Sequence, residues 1–201
     1  MDNLIIIGAG GHAKVIADVA ISNGYTILGF LDDNPNILNF LNFNRLGSVK
    51  DFPKFADKAK FIIAIGSNCV REKIANTHNA NFATLIHPTA VIGSNVTIQD
   101  GTVVMPYAVI NADTKIGSHC IINSSAVVEH DCDIGDFSHI APNATLCGTV
   151  MVGKKCHIGA GATIINNIDI CENCIIGAGA VVTKSINVSG TYVGVPAKVI
   201  K

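Results

Sequence analysis

The chain of 201 residues has no tryptophan, and aromatic residues make up only 5% of it. Charged residues are scarce at 14%, about half the usual share for a soluble domain. Neither sign dominates: 14 Lys and Arg stand against 15 Asp and Glu, a net charge of −1. That balance excludes the basic footprint of a nucleic-acid binder and the polybasic surface of a membrane-docking protein. No apolar run approaches the roughly eighteen residues of a membrane span, so no membrane insertion is expected. Met1-Asp2-Asn3 is no cationic leader and the apolar run behind it stops at Gly8, so a cytoplasmic location is expected. Seven cysteines, an odd number, then read as reduced thiols rather than a disulfide framework. What the chain does have is 49% apolar residues, 29 of them Ile, with 19 Gly. That excludes a disordered chain and points to repeated short strands joined by tight turns.

Composition divides the chain near residue 86: seven of the eight Phe precede it. Beyond it a period of six sets in. Steps of six from Ile86 meet Ile92, Ile98, Val104, Ile110 and Ile116, and every later step to Val182 is aliphatic. Four places after nearly every one of these lies a smaller residue, among them Ala90, Thr102, Cys120, Cys132, Ser138, Cys156 and Cys174, with Ile168 an exception. One large aliphatic and one small residue per six is the hexapeptide signature of a parallel β-helix, three sixes to a triangular coil. Two domains are expected, 1–85 and 86–201. The Cys171-x-x-Cys174 pair can suggest metal or redox chemistry, but the repeat accounts for it and no second pair accompanies it.

Residues 1–85 alternate strand and helix. Strands are expected over Leu4–Ile7, Thr26–Leu31 and Phe61–Ile65, with helices from the glycine turn to about Asn23 and over Val70–Thr77. The Asn-rich stretch from Asn34 to Asn44 reads as a polar loop or short irregular segment. Together these make a small Rossmann-like βαβ unit.

Gly8 to Ala13 fits Gly-x-Gly-x-x-Ala between a strand and a helix, with Asp32 downstream. Such glycines let a phosphate approach backbone amides at a helix N-terminus. The short domain has room for half a dinucleotide fold, which favours a nucleotide diphosphate over NAD; a turn needing glycine for backbone reasons alone also fits. A second feature is acidic: Glu129, His130, Asp131, Asp133 and Asp136 fall within eight residues. His130 occupies neither interior column, so its imidazole lies outside, where a carboxylate can orient it as a general base. An idle surface histidine among solvated acids is the plain alternative. Gly148 lies one coil on from His130 and stacks over it, where its amide can face a developing oxyanion.

Taken together, a βαβ domain with Gly-Gly-His and Asp-Asp, then an uninterrupted hexapeptide helix with Glu-His-Asp and Ser-His, resembles the bacterial sugar O/N-acyltransferases. The resemblance covers residues 3–199. Within the family it is nearest to the UDP-4-amino-sugar N-acetyltransferases of bacillosamine-type synthesis, with sialic-acid O-acetyltransferases as near relatives. It implies a left-handed helix and acetyl-CoA as co-substrate, with no permanently bound cofactor or metal. The resemblance further implies that the other substrate is a UDP-amino sugar and that the assembly is a homotrimer with sites between subunits. It also implies that His130 is the base, Asp131 its supporting acid and Gly148 the oxyanion amide. Gly10, Gly11, His12, Asp32, Asp33 and Gly66 match nucleotide-sugar positions, and His139, Ala160 and Ala178 match acetyl-CoA contacts. Lys154, Lys155, Lys184 and Lys198 are available to CoA phosphates or simply to solvent. Rival readings are sugar O-acetylation, a metal-dependent hydratase using His119, His130, His139 and His157, a nucleotide-sensing scaffold, and nucleophilic catalysis by Cys147.

Overall fold

The computed structural model describes residues 2–77 and 80–200. The first unit is built on β1 (Asn3–Ile7), whose residues Leu4 to Ile7 are fully buried. Gly8 follows at φ +100, and a Cβ there would meet Ile65 at 2.9 Å, so only glycine makes this turn. Helix α1 (Gly11–Ser22) buries Ala13, Ile16, Ala17, Val19 and Ala20, a stripe at helical spacing. It ends at Asn23 and at Gly24, whose φ is +78. Strand β2 (Thr26–Leu31) then pairs with β1 in parallel.

A hairpin of β3 (Asn39–Phe40) and β4 (Phe43–Gly47) occupies much of the stretch expected to be a polar loop. The reason is apolar anchorage: Phe40 packs edge-on against Phe30 at 4.9 Å and against Phe43 at 6.0 Å. Leu41 and Asn42, at φ 46 and 66, supply the two left-handed residues that a two-residue hairpin turn requires. A 3₁₀ turn (Val49–Phe55) capped by Ser48 and Asp51 leads to β5 (Lys60–Ile63), and α2 (Asn68–Thr77) follows. The sheet order is β3-β4-β2-β1-β5, parallel but for the hairpin. The chain after β1 returns beside it as β2, while the chain after β5 returns on the other side at Phe82, so the two connections diverge at the carboxyl ends, where such sheets bind ligands.

From Leu85 the chain winds into a left-handed parallel β-helix of two-residue strands on three faces. First-face strands run from Val91–Ile92 to Val181–Val182, second-face strands from Thr97–Ile98 to Asp169–Ile170, and third-face strands from Leu85–Ile86 to Thr191–Val193. Each coil donates to the next, as in Val109 N–H to Ala126 O at 2.9 Å. The aliphatic and small columns fill the interior, including Cys120, Cys132, Cys156 and Cys174, whose thiols burial pushes up to about 11–12. All seven cysteines are free thiols.

A third column joins the two expected ones. Every sixth residue from Asn95 to Gly179 has a positive φ, including Tyr107, His119, Asp131, Phe137 and Lys155. These residues turn the corners. The period ends after Val182: Ile186 pairs with Ile170, and Thr191 with Ile175, sixteen residues apart rather than eighteen. The last turn is therefore two residues short, which buries Ile186 and leaves Val188 69% exposed.

The first unit sits on the third face. Leu85, Val103, Met105 and Ile121 join the core beneath α1 and the sheet. Asn23 donates its amide to Ile86 O at 2.7 Å and accepts Ile86 N–H at 3.0 Å, pinning the solenoid's first strand.

Candidate functional site

His130 and Asp131 stand on the corner between the first and second faces, with Asp131 at φ 57 in the corner column. Asp131 Oδ2 lies 2.7 Å from His130 Nδ1, so the short Asp reaches the ring as well as a longer acid would. Both side chains remain more than half exposed, at 59% and 56%. Gly148 lies one coil on, beneath the imidazole: a Cβ there would come within 2.7 Å of Cε1 and Nε2. The glycine is thus the space in which the ring lies. The Gly148 N–H makes no backbone hydrogen bond among the described residues and is free to donate outward. Glu129 faces away from the pair, accepting from Asn111 at 2.8 Å. Cys147, beside Gly148, is half-buried.

A second group forms where the first unit meets the third face. His12 opens α1, while His139 and His157 pair in register on adjacent coils. Ring centroids lie 6.4 Å apart for His12 and His139, and 4.9 Å for His139 and His157. Burial drives the pKa of His12 down to about 4 and that of His139 to about 3; the Arg71 guanidinium adds to both, and His157 also lowers His139. His157 is lowered for the same reasons, burial first. Gly66 belongs to this group, because its backbone acts on His139 in the opposite sense. Among the described residues, His12 Nε2, His119 Nδ1 and His139 Nδ1 are buried with no hydrogen bond of ordinary length.

Arg71 holds this junction together. It is 1% exposed, and among the described residues it forms no ion pair with a carboxylate. Its donors reach Ile65 O, Gly66 O, Asn68 Oδ1, His119 O and Phe137 O, at 2.7 to 3.1 Å. Two of these acceptors lie on the loop after β5, one at the start of α2 and two on the corner between the second and third faces, so one side chain locks that loop to the solenoid. Asn68 adds bonds to Lys155 O and Cys156 O, each 3.0 Å. A 320 Å³ cleft lined by Gly66, Ser67, Asn68, Cys69, Lys155 and His157 opens alongside. Nothing in the sequence pattern marked Arg71, whose partners lie up to 66 residues away.

At the carboxyl ends of β1 and β2, Gly10 and Gly11 face open space, as does Gly66. Asp32 Oδ2 accepts the Ala9 N–H at 2.9 Å, tying the glycine turn to the end of β2. Asp33 accepts the Val49 N–H at 2.9 Å. Ala160 and Ala178 are exposed and stacked on the corner between the third and first faces, joined by a 2.9 Å bond from Gly179 N–H to Ala160 O. Lys154 pairs with Asp136 at 2.7 Å and Lys155 with Glu72 at 3.2 Å, while Lys184 and Lys198 share a 280 Å³ cavity near the C-terminus.

The structure therefore brings together His130, Asp131 and Gly148 in one place, and His12, Gly66 and His139 in another. It does not unite the two within one chain. The packed interior stands between the third face and the corner opposite it. Nor do His119, His130, His139 and His157 converge: His119 stacks on Phe137 and meets Phe82 edge-on, and no group of three or more metal-binding side chains exists among the described residues.

Residues 3–78 match the PglD N-terminal domain family, and 113–148 and 149–184 match the bacterial transferase hexapeptide family. A UDP-N-acetylbacillosamine N-acetyltransferase from Bacillus subtilis is 40% identical over 109 residues, 51% of this chain and 50% of its own. A protein of Acanthamoeba polyphaga mimivirus is 38% identical over 97 residues, 48% of this chain and 20% of its own. The matched stretch is thus half or less of each of these curated relatives. Among solved structures, PerB from Caulobacter crescentus, in complex with CoA and GDP-perosamine, superposes with a TM-score of 0.94 at 35% identity, over 100% of this chain and 98% of that one. The acetyltransferase domain of PglB from Neisseria gonorrhoeae gives 0.94 at 33% identity, over 100% of both chains.

Proposed function

Because the chain belongs to the bacterial hexapeptide-repeat sugar acyltransferases, we propose that it moves an acetyl group from acetyl-CoA to the amino group of a UDP-linked 4-amino-4,6-dideoxy sugar. The observation that carries this reading is the His130–Asp131 pair: an exposed imidazole held through Nδ1 by a carboxylate, its ring lying over a glycine. The amine attacks the thioester carbonyl directly. His130 Nε2 takes the ammonium proton as the C–N bond forms, Asp131 holds the imidazolium, and the Gly148 N–H stabilises the oxyanion until CoA thiolate leaves. No covalent enzyme intermediate forms, so Cys147 has no part.

Gly10, Gly11, His12, Asp32, Asp33 and Gly66 hold the nucleotide sugar, and His139, Ala160 and Ala178 line the acetyl-CoA site. A sugar held at the third face cannot reach His130 of its own chain, which supports a homotrimer in which one subunit's corner faces the next subunit's cleft. Three 21.0 kDa chains give a mass of about 63 kDa by light scattering. A monomer at micromolar concentration ends the shared-site arrangement.

The experiment that tests the activity is CoA-thiol release across UDP-, GDP- and dTDP-linked 4-amino sugars, with free sialic acids as controls. Turnover with a UDP-amino sugar is expected. Turnover only with sialic acids would make it an O-acetyltransferase, and thiol release independent of acceptor would leave no sugar acetylation at all.

A further inference from the structure

On the corner between the second and third faces, the place after the buried aliphatic is Gly117, Gly135 and Gly153 in three successive coils. A Cβ at any of them would meet a backbone nitrogen of the next coil at 2.5 to 2.7 Å, so this place takes glycine. In the coil after these it holds Cys171. The repeat therefore accounts for Cys174, in the small interior column, but not for Cys171. Room for that side chain comes from the short last turn. Cys171 N–H donates to Ile186 O at 2.8 Å, and a 430 Å³ cleft lined by Gly153, Cys171, Ile186 and Asn187 lies alongside. The Cys171 sulfur lies 3.5 Å from that of Cys174. Cys171 is half-buried and reaches the cleft, whereas Cys174 is enclosed. Burial pushes the Cys174 thiol up to about 12, and its hydrogen bond with Cys171 acts in the same direction, so Cys174 keeps its proton. The third thiol nearby, Cys156, is turned to Cys171 O at 3.1 Å.

We propose that Cys171 and Cys174 are a reversible dithiol–disulfide site, oxidised by a peroxide that enters the cleft and reduced by a small thiol. The Cys171 thiolate attacks one oxygen of hydrogen peroxide: an S–O bond forms, the O–O bond breaks, and the departing hydroxide is protonated to water. The Cys174 sulfur then attacks the sulfenic acid: the S–S bond forms, the S–O bond breaks, and the oxygen leaves as a second water with the Cys174 proton. The two sulfurs need only close to about 2.0 Å. Cys174 is thus the resolving partner, near enough to intercept the sulfenic acid before a second peroxide makes it sulfinic. Two molecules of a small thiol restore the pair by exchange and leave as their own disulfide. The site lies on a different corner from His130 and does not rest on the acetyl transfer proposed above.

Mass spectrometry of the full-length chain, reduced, exposed to hydrogen peroxide, then denatured, alkylated and cut with trypsin, tests the proposal. The fragment from Cys156 to Lys184 carries three cysteines. It is expected to lose two hydrogens and to carry one alkyl group in place of three, and dithiothreitol before alkylation should restore all three. Cys156→Ala, in a column that already holds Ala162 and Ala180, should leave the disulfide intact. Cys174→Ala, in the same column, should abolish it and leave a sulfenic acid at Cys171 that dimedone captures. Cys171→Ser should also abolish it, and it gives the reading if the Cys174 variant does not fold. Loss of the disulfide in Cys156→Ala would place the bond across coils, between Cys156 and Cys174, and overturn the assignment. Three alkylated cysteines after peroxide, or a sulfinic acid at Cys171 with no disulfide, would overturn the site altogether.

Discussion

Two histidine stations on one solenoid differ in almost every physical respect. At the corner, His130 is 59% exposed and has a carboxylate at 2.7 Å. At the junction, His12 and His139 are enclosed, near a guanidinium, and have no acid beside them. The same side chain is thereby given two kinds of work. Beside a carboxylate and open to solvent, imidazole can take up a proton and pass it on; enclosed beside a cation it stays neutral and serves through its hydrogen bonds. The stations are kept apart by the width of the packed coil, so one chain does not bring their chemistry together.

Acid should separate the two stations most strongly. His12, His119 and His139 have folded-state values near 4, 4 and 3, below the ordinary 6.5. The unfolded chain takes up these protons first, so their contribution is fully present above about pH 6.5 and is lost as pH falls from there towards 4. Asp51 and Asp136, which are depressed carboxylates, lose their contributions only at lower pH. The melting temperature should fall by about 10 °C or more between pH 7 and 4.5. A flat profile across that window would mean that the junction is open to water.

Alanine at each station sharpens the contrast. His130→Ala should lower kcat by roughly 10²–10⁴-fold, with little change in melting temperature or in KM for acetyl-CoA. His139→Ala should chiefly raise KM for acetyl-CoA. Near-wild-type turnover by His130→Ala, measured with the proper acceptor, would reduce the corner to a surface patch. Gly148→Ala comes next. Its Cβ would stand 2.7 Å from the ring of His130, which has room to swing outward but then leaves its attacking position. Turnover should fall by about 10–10²-fold at nearly constant stability.

The solenoid was legible because each coil repeats the same burial, so the aliphatic and small columns recur whatever lies between them. The corner column was not, because Asn, Tyr, Asp, His, Phe and Lys all occupy it. Coil closure, not residue type, imposes φ > 0 there. For the same reason His130 could be placed outside the core from its phase alone, while its 2.7 Å bond to Asp131 depends on Asp131 being that corner residue. Arg71 was invisible because its partners are set by docking rather than by local pattern. The β3–β4 hairpin was hidden by its asparagines, although Phe40 and Phe43 decide it.

The smallest effect belongs to Asp131, and its two substitutions separate charge from orientation. Asn is nearly isosteric, tolerates the left-handed corner at φ 57 and keeps an oxygen able to accept from Nδ1. Only the charge is lost. Because both partners are more than half exposed, water screens that charge, and exposed ion pairs contribute little. Asp131→Asn should therefore cost roughly two- to five-fold in kcat. Alanine loses the oxygen as well and is less at ease in the left-handed corner. The ring is then free to turn and the neutral tautomers mix, so Asp131→Ala should lose about 10-fold or more, yet less than His130→Ala, since the base remains. Equal losses for Asn and Ala would show that charge outweighs orientation at this exposed corner, making it electrostatically closer to the buried junction than its exposure implies.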